Sequence, residues 1–440
     1  MLPLRSIGRW IWLAAMAGLA ACAALPPGLW PAASPPPTPM PTPSATASPT
    51  PPPTPGPPTD LRVWVAASLG PEARPDAWKV LTRALDEFAL RHHLTVEVRV
   101  KAEEGAGGLV ETLVWSRVVA PEAAPDVILA PVGVLEAARV KAALPRLPEA
   151  LHAGLRARET YPYAQAAAGE HDQLFAYPVA AEAPVLAWPR HAEADLPTTW
   201  AQWAQSPTPW TWAARDPWAW TAWALYQAAG GLPGPANQPA LLQAEPLAEM
   251  LEFLVQARWN AGLRRDAVLW RDMDALWQAH GQDDIGLITW SSHVTPASDA
   301  WVWAPLPGPE HPGPLTMRVY AWAVATEVPA RRDLAVEWLR RVTDAGWSGP
   351  WARAAGLWPT APDALRAGWD APQTASWDSW FRDAKPAPPL AVRGGASQAL
   401  RSATLRVLAG AQTPLDAAYQ ALVDLGAAEP APTPTATGEH

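Results

Sequence analysis

The segment Phe175–Trp188 reads FAYPVAAEAPVLAW. An aromatic residue precedes Pro178, small residues follow, and Glu182 stands alone among apolar neighbours. The run Val185-Leu186-Ala187-Trp188 then has the pattern of a buried strand. A buried charge is costly unless something bonds to it. The stretch therefore predicts a chain crossing between two lobes, with Glu182 at the mouth of a strand and facing a cleft.

Upstream of the crossing, strand and helix patterns alternate. Leu61-Arg62-Val63-Trp64-Val65 alternates as a strand, and Ala77 to Arg91 spaces Trp78, Leu81, Leu85 and Phe88 as one helix face. Leu94 to Lys101 (LTVEVRVK) is a second strand, and Gly105 to Gly108 breaks the pattern before a helix over Leu109 to Val119. Asp126-Val127-Ile128-Leu129 is a third, wholly apolar strand after Pro125, followed by a helix over Val134 to Leu144. Such alternation predicts a parallel sheet with helices on its faces, in which ligands bind beyond the carboxyl ends of the strands. Here those ends are Ala67-Ser68, the Gly105 loop and Ala130-Pro131.

Downstream, Trp200 to Trp223 holds seven tryptophans, and Leu241 to Ala261 is an amphipathic helix. Asp284 to Trp290, Trp301 to Leu306 and Met317 to Thr326 read as strands, and Asp333 to Thr343 as a helix. Two closing helices run over Leu390 to Leu408 and Thr413 to Leu425, the second opening on Thr413-Pro414, a good N-cap and first-turn pair.

Composition narrows the function. A net charge of -9 and a pI near 5.5 argue against nucleic acid, whose binding needs basic surface. The 28 tryptophans suit stacking on sugar rings as well as core filling. With a single cysteine, no intrachain disulfide can form. Arg5 and Arg9 precede an apolar run, Trp10 to Leu19, too short to span a bilayer, which ends in Leu19-Ala20-Ala21-Cys22. That ending resembles the bacterial lipobox and makes Cys22 the expected lipid-modified first residue; an ordinary signal peptide is the alternative. From Pro26 to Pro58, 16 of 33 residues are proline. Such a segment forms an extended spacer that reaches roughly 100 Å in the polyproline conformation.

The ordered motifs resemble a known family. They are Val63-Trp64-Val65, Pro125-Asp126-Val127-Ile128, Phe175-Ala176-Tyr177-Pro178 with Glu182-Ala183, Pro197-Thr198-Thr199-Trp200, Gly230-Gly231, Pro305-Leu306-Pro307 and Gly410-Ala411-Gln412-Thr413-Pro414. Over about residues 60 to 425 the chain is similar to the lipid-anchored extracellular solute-binding proteins of bacterial ABC importers, in the maltose-binding-protein-like subgroup. The resemblance implies a type II periplasmic-binding-protein fold: α/β, two lobes, each a mixed sheet flanked by helices, with the ligand cleft between them. It implies closure about crossings near Ala180 and Ala300. Its domain plan is a signal peptide over 1–22, a tether over 23–59, lobe 1 over 60–180 and 301–345, lobe 2 over 181–300 and 346–427 with the closing helices, and a disordered tail over 428–440.

By position, Glu182 matches a carboxylate that bonds sugar hydroxyls in the family, and Asp216-Pro217-Trp218 matches an acidic-Pro-aromatic loop that touches the sugar. Carboxylates accept from vicinal hydroxyls, and an indole covers the C–H face of the ring. Ser68 and Leu69 replace an aspartate and a lysine, Ala130 and Ser397 replace stacking tryptophans, and His293 falls near a third. Trp290, Trp322 and Trp358 border the cleft segments and, with Trp212, are candidate replacement rings. Each candidate has a plainer reading: Glu182 as a turn cap, Asp216 as a helix cap, the indoles as core.

No HExxH, CxxC pair, phosphate loop or GxSxG is present, and Gly346-Trp347-Ser348-Gly349 lacks the second spacing. No catalytic residue, metal site or cofactor is expected. The implied partners are a small-molecule ligand, most simply a sugar, two permease subunits with a cytoplasmic ATPase, and the membrane through the lipid anchor. The protein is expected to be a monomer outside the cytoplasm, at the cell surface or in a periplasm. A surface carbohydrate-active enzyme or lectin, with Glu182 and Asp216 as its carboxylates, and a ligand sensor of the same fold are the alternatives.

Overall fold

The computed structural model describes residues 58–170, 173–232, 242–294 and 299–426. The expected signal segment with Cys22, the tether before residue 58 and the tail from 428 lie outside the described residues.

The first sheet starts as expected. β1 (Asp60–Ala66) lies between β2 (Thr95–Lys101) and β3 (Val127–Pro131), parallel to both. β3 is buried along its whole length, which is why it reads as an unbroken apolar run. β2 is an edge strand whose charged positions Glu97 and Arg99 face outward. Asp126, just before β3, is buried and held by Arg331 through Nε and Nη2 at 2.7 Å each. The pair fastens the helix Pro329–Val342 to the sheet and gives the Pro125-Asp126-Val127 motif a structural role.

A short antiparallel pair, β4 (Gly169–Glu170) with β5 (Gln173–Leu174), precedes β6 (Tyr177–Glu182). After Ala183 the chain enters β7 (Pro184–Pro189), which belongs to a different sheet. The predicted crossing is therefore a single residue long. The second sheet adds β8 (Trp210–Thr211), β9 (Gly286–Trp290) and β10 (Trp301–Ala304) in the order β10-β7-β9-β8. β11 (Thr316–Val324) returns to the first sheet, antiparallel between β6 and β3; β12 (Trp358–Pro359) pairs β6, and β13 (Lys385–Pro386) pairs β11. Both sheets are mixed.

Helices form where their termini are marked. Pro75 opens Pro75–His92, and His93, in the left-handed region at φ 52°, ends it. Thr199 and Gln202 form a capping box at Trp200–Ala204, and Thr413 Oγ1 accepts from Asp416 N at 3.2 Å to cap Pro414–Asp424.

Two cores result. The first gathers residues from β1–β3, β6 and β11 together with Trp351, Leu357, Trp358, Leu365 and Phe381; the second gathers Trp203, Trp210, Trp223, Phe253, Leu400 and Ala417. The expected lobe boundaries shift accordingly. Trp301–Ala304 pairs antiparallel with Leu186–Pro189, so it belongs to the second lobe, and residues 346–384 pack on the first lobe's core. The second crossing falls between Ala304 and Thr316, not near Ala300, and a third runs through β13.

Candidate functional site

The crossings bring the ends of both sheets to one cleft. One side is a cavity of about 430 Å³ walled by the Glu103–Gly108 loop after β2, by Pro131–Val134 after β3, and by Pro386–Pro389 after β13. The other side, about 730 Å³, is walled by Asp216–Trp218, Trp220, Arg271–Asp274, Trp290, Arg401 and Leu405. Trp218, Trp220 and Arg318 border both. Two of the three expected strand ends thus reach the cleft. The Gly105 turn there requires glycine at its φ of 85°.

Glu182 lies beneath this cleft rather than in it. It ends β6, directly opposite Arg318 on β11, and its side chain is buried. Oε1 accepts from Tyr320 and from Arg318 Nη1 (3.4 Å); Oε2 accepts from Ser292 Oγ (2.8 Å) and Arg74 Nη2 (3.3 Å). Arg318 and Tyr320 are two residues apart on one strand, hence on one face, so β11 delivers both donors together. Four donors leave the carboxylate no free place for a ligand hydroxyl. The expectation of direct sugar contact is corrected: Glu182 is the anchor of a buried charge network.

Arg318 carries that network to the cleft. Its Nη2 holds Glu103 at 2.8 Å, and its guanidinium lies 5.5 Å from the centre of the Trp290 ring. Burial works against its charge, but the carboxylates of Glu103, Glu182 and Asp274 together raise its pKa above the ordinary arginine range. Burial likewise drives the Tyr320 hydroxyl well above the usual tyrosine value, keeping it a neutral donor.

Asp216 caps a helix and lines the cleft at once. Its oxygens accept from Trp218 N (3.0 Å) and Trp220 N (2.9 Å) at the start of Trp220–Ala228. Burial pushes its pKa up to about 6, against those two donors and Arg318, which lower it. Trp218, half-buried, and Trp290 line the same side of the cleft, and Trp290 meets Trp220 edge-on at 5.3 Å. Trp220, part of the seven-tryptophan run, is a wall residue that sequence reasoning did not single out.

The other expected rings are core. Trp212 is buried in the second core. Trp322 meets Trp338 edge-on at 5.9 Å beneath the first sheet, and Trp358 packs between Trp303 and Phe381, each at 5.1 Å. None of the three lines the cleft: β11 and β12 turn Trp322 and Trp358 toward the lobe interior, and Trp212, just past β8, packs into the second core. Ser68 sits on a 3-10 turn after β1, away from both cavities, with its Oγ buried and unbonded.

The departures from the family pattern have structural uses. Ser397 Oγ accepts from Trp223 Nε1 (2.9 Å) and donates to the Trp218 carbonyl (2.8 Å), fixing the loop that presents Trp218. His293 stacks on Trp277, with Nε2 at 2.8 Å from Asp274 Oδ1 and Nδ1 at 2.6 Å from Thr289 Oγ1. The bond to His293 holds the Asp274 carboxyl below its usual range. Arg318 was legible in principle: a lone charge in an apolar strand is the signal that marked Glu182. Arg74, Ser292 and Tyr320 carry no such local signal.

Among the described residues no group of three or more His, Cys, Asp or Glu side chains could hold a metal ion, and no helix is long and apolar enough to cross a membrane. No protein-family model matches the chain, and no similar curated protein was found. Solved structures do match. A cyclic alpha-maltosyl-1,6-maltose binding protein from Arthrobacter globiformis superposes with a TM-score of 0.64 at 16% identity, over 84% of this chain and 99% of that one. The GacH receptor of Streptomyces glaucescens, solved unliganded and with acarbose and an acarbose homolog, gives 0.64 at 14%, over 83% and 98%. The fold is the bilobed α/β fold of the periplasmic-binding-protein type.

Proposed function

We propose that this chain is an extracytoplasmic solute-binding protein that captures a small polar solute, most simply a carbohydrate, between its lobes. It then hands the solute to the permease subunits of an ABC importer driven by a cytoplasmic ATPase. The reading rests on the cleft wall, where Trp218, Trp220 and Trp290 stand beside Asp216 and Arg318. Indole faces cover the C–H patches of a sugar ring, and fixed polar groups set its orientation. The two structurally similar proteins, by their descriptions, take cyclic alpha-maltosyl-1,6-maltose and acarbose, which supports a saccharide here.

The three interlobe crossings support closure by hinge motion, with the Glu182 network as the fixed floor on which the lobes turn. The network also weighs against a glycosidase. Glu182 is surrounded by four donors, which leaves it no place as nucleophile or acid, and Asp216 spends an acceptor position of each oxygen on a backbone N–H group. The lipobox-like ending at Cys22 and the proline-rich tether suit a monomer held at a distance from the membrane.

A thermal-shift screen of full-length protein against mono- and oligosaccharides, polyamines and phosphate esters tests the reading. A ligand present at about one hundred times its Kd stabilises the folded state by about 2.7 kcal/mol. If no saccharide raises Tm while a polyamine does, the carbohydrate assignment is wrong. Turnover of the oligosaccharide panel would replace binding by catalysis. For the anchor, Cys22→Ser should move the protein from the membrane fraction to the soluble one.

A further inference from the structure

The larger side of the cleft has three carboxylates and four arginines on its wall. The carboxylates are engaged. Asp216 accepts from two backbone N–H groups, Asp272 caps the helix Met273–His280 through Ala275 N at 2.6 Å, and Asp274 is bonded to His293. Arg318 is engaged as well, with Glu103 and Glu182. Arg215, Arg271 and Arg401 have no side-chain partner among the described residues.

These three come from separate segments. Arg215 lies in the loop after β8, Arg271 precedes the helix Met273–His280, and Arg401 is on the helix Leu390–Leu408. Arg215 N donates to the Trp270 carbonyl at 2.9 Å, which fixes two of the segments side by side. With no side-chain partner among the described residues, each of the three keeps its N–H donors available to a ligand in the cleft. A guanidinium binds carboxylate or phosphate through paired N–H donors. The carboxylates of the same wall keep their charge while they accept from backbone N–H groups or bond His293, so an anion would be held by the guanidinium donors themselves and not by a net positive field.

We infer that the solute is an anionic saccharide, whose carboxylate or phosphate group is taken by Arg215, Arg271 and Arg401 while Trp218 and Trp290 cover its ring. The inference rests on the reading of the cleft as a solute site. It narrows the ligand from neutral sugars to uronates or sugar phosphates.

Calorimetric titration of the full-length protein with glucose, glucuronate and glucose 6-phosphate, at low and high salt, tests it. At least one anionic probe should bind about tenfold tighter than glucose at low salt, and the advantage should shrink as salt screens it. Arg271→Gln and Arg401→Gln should each weaken the anionic probe about fivefold, with far-UV circular dichroism and Tm retained. Preference for glucuronate assigns a carboxylate ligand and preference for glucose 6-phosphate a phosphate ligand; either sustains the inference. Glucose binding as tightly as both anions, or arginine variants that bind the anions unchanged, overturns it and leaves the solute-binding reading standing. Binding of none of the three, with a non-sugar solute bound instead, overturns the carbohydrate reading and this inference together.

Discussion

Ser292 Oγ donates to Glu182 Oε2 at 2.8 Å, so the serine just past β9 of the second sheet is fastened to the last residue of β6 in the first. The same oxygen receives Arg74, and the other receives Arg318 and Tyr320. Removing the carboxylate leaves two largely buried guanidinium groups short of counter-charge. Breaking a buried pair by deleting one partner typically costs about 3–5 kcal/mol. Glu182→Ala should lose about 3 kcal/mol in urea unfolding, since Arg318 keeps Glu103, and Glu182→Gln should lose less. A loss below about 1 kcal/mol for Glu182→Ala would contradict the anchoring role.

Asp216 gives the protein a pH response of definite sign. Its carboxyl titrates near 6 when folded, above the ordinary 3.8, because burial disfavours the charge. Between those values the folded chain holds a proton that the unfolded chain has released, so this group's contribution to stability improves as pH falls through about 6 toward 4. The full effect is on the order of 2–3 kcal/mol. Wild type should therefore gain stability relative to Asp216→Asn as pH is lowered across that window. A difference between the two proteins that is flat with pH would refute the assignment.

Gly349 marks a close helix approach. A Cβ there would lie 2.3 Å from the Ala364 carbonyl oxygen and 3.0 Å from Gly368 N, backbone atoms that cannot swing aside. Gly349→Ala should therefore cost about 3 kcal/mol by overpacking the contact between Ala345–Ala354 and Pro362–Gly368. An unchanged Tm would mean that the helices slide apart freely. The neighbouring Ser348 is buried as well.

Trp303 joins the lobes by packing alone. It stands on β10 of the second sheet, yet its ring lies 5.1 Å from Trp358, 5.5 Å from Trp377 and 5.3 Å from Trp380, all on the first lobe. Being half-buried, it should cost about 2 kcal/mol on truncation, below the range for a fully buried tryptophan. Differential scanning calorimetry of Trp303→Ala should show a lower and broader transition, because the two cores then share fewer contacts. A sharp transition at the wild-type Tm would show that the cluster does not couple them.

Sequence reading captured what is written locally. The period-2 pattern of β2, the apolar run of β3 and the Thr199 and Thr413 caps were all visible, and so was the oddity of one carboxylate in the Phe175–Trp188 stretch. What that carboxylate does was not visible, because its partners lie 108 to 138 residues away. The lobe boundaries failed where the strands are only two residues long: β12 and β13 are too short to carry a period, so residues 346–384 gave no sign of returning to the first sheet. Trp212, Trp322 and Trp358 were misplaced for a related reason. An indole beside an apolar strand has the same local pattern whether it faces a core or a cleft, and in a chain with 28 of them most must fill cores.

The position of β11 bears on how the chain is made. It is the tenth strand of the folded region to follow β1, yet it sits mid-sheet, joining β6 to β3. A nascent chain that has not yet reached Val324 therefore carries two unpaired inner edges, of β3 and β6, with the strands of the second sheet already synthesised. Open apolar edges of this kind invite wrong pairing and aggregation. The first sheet cannot be completed until about three-quarters of the polypeptide exists, so its two halves can join only late in synthesis.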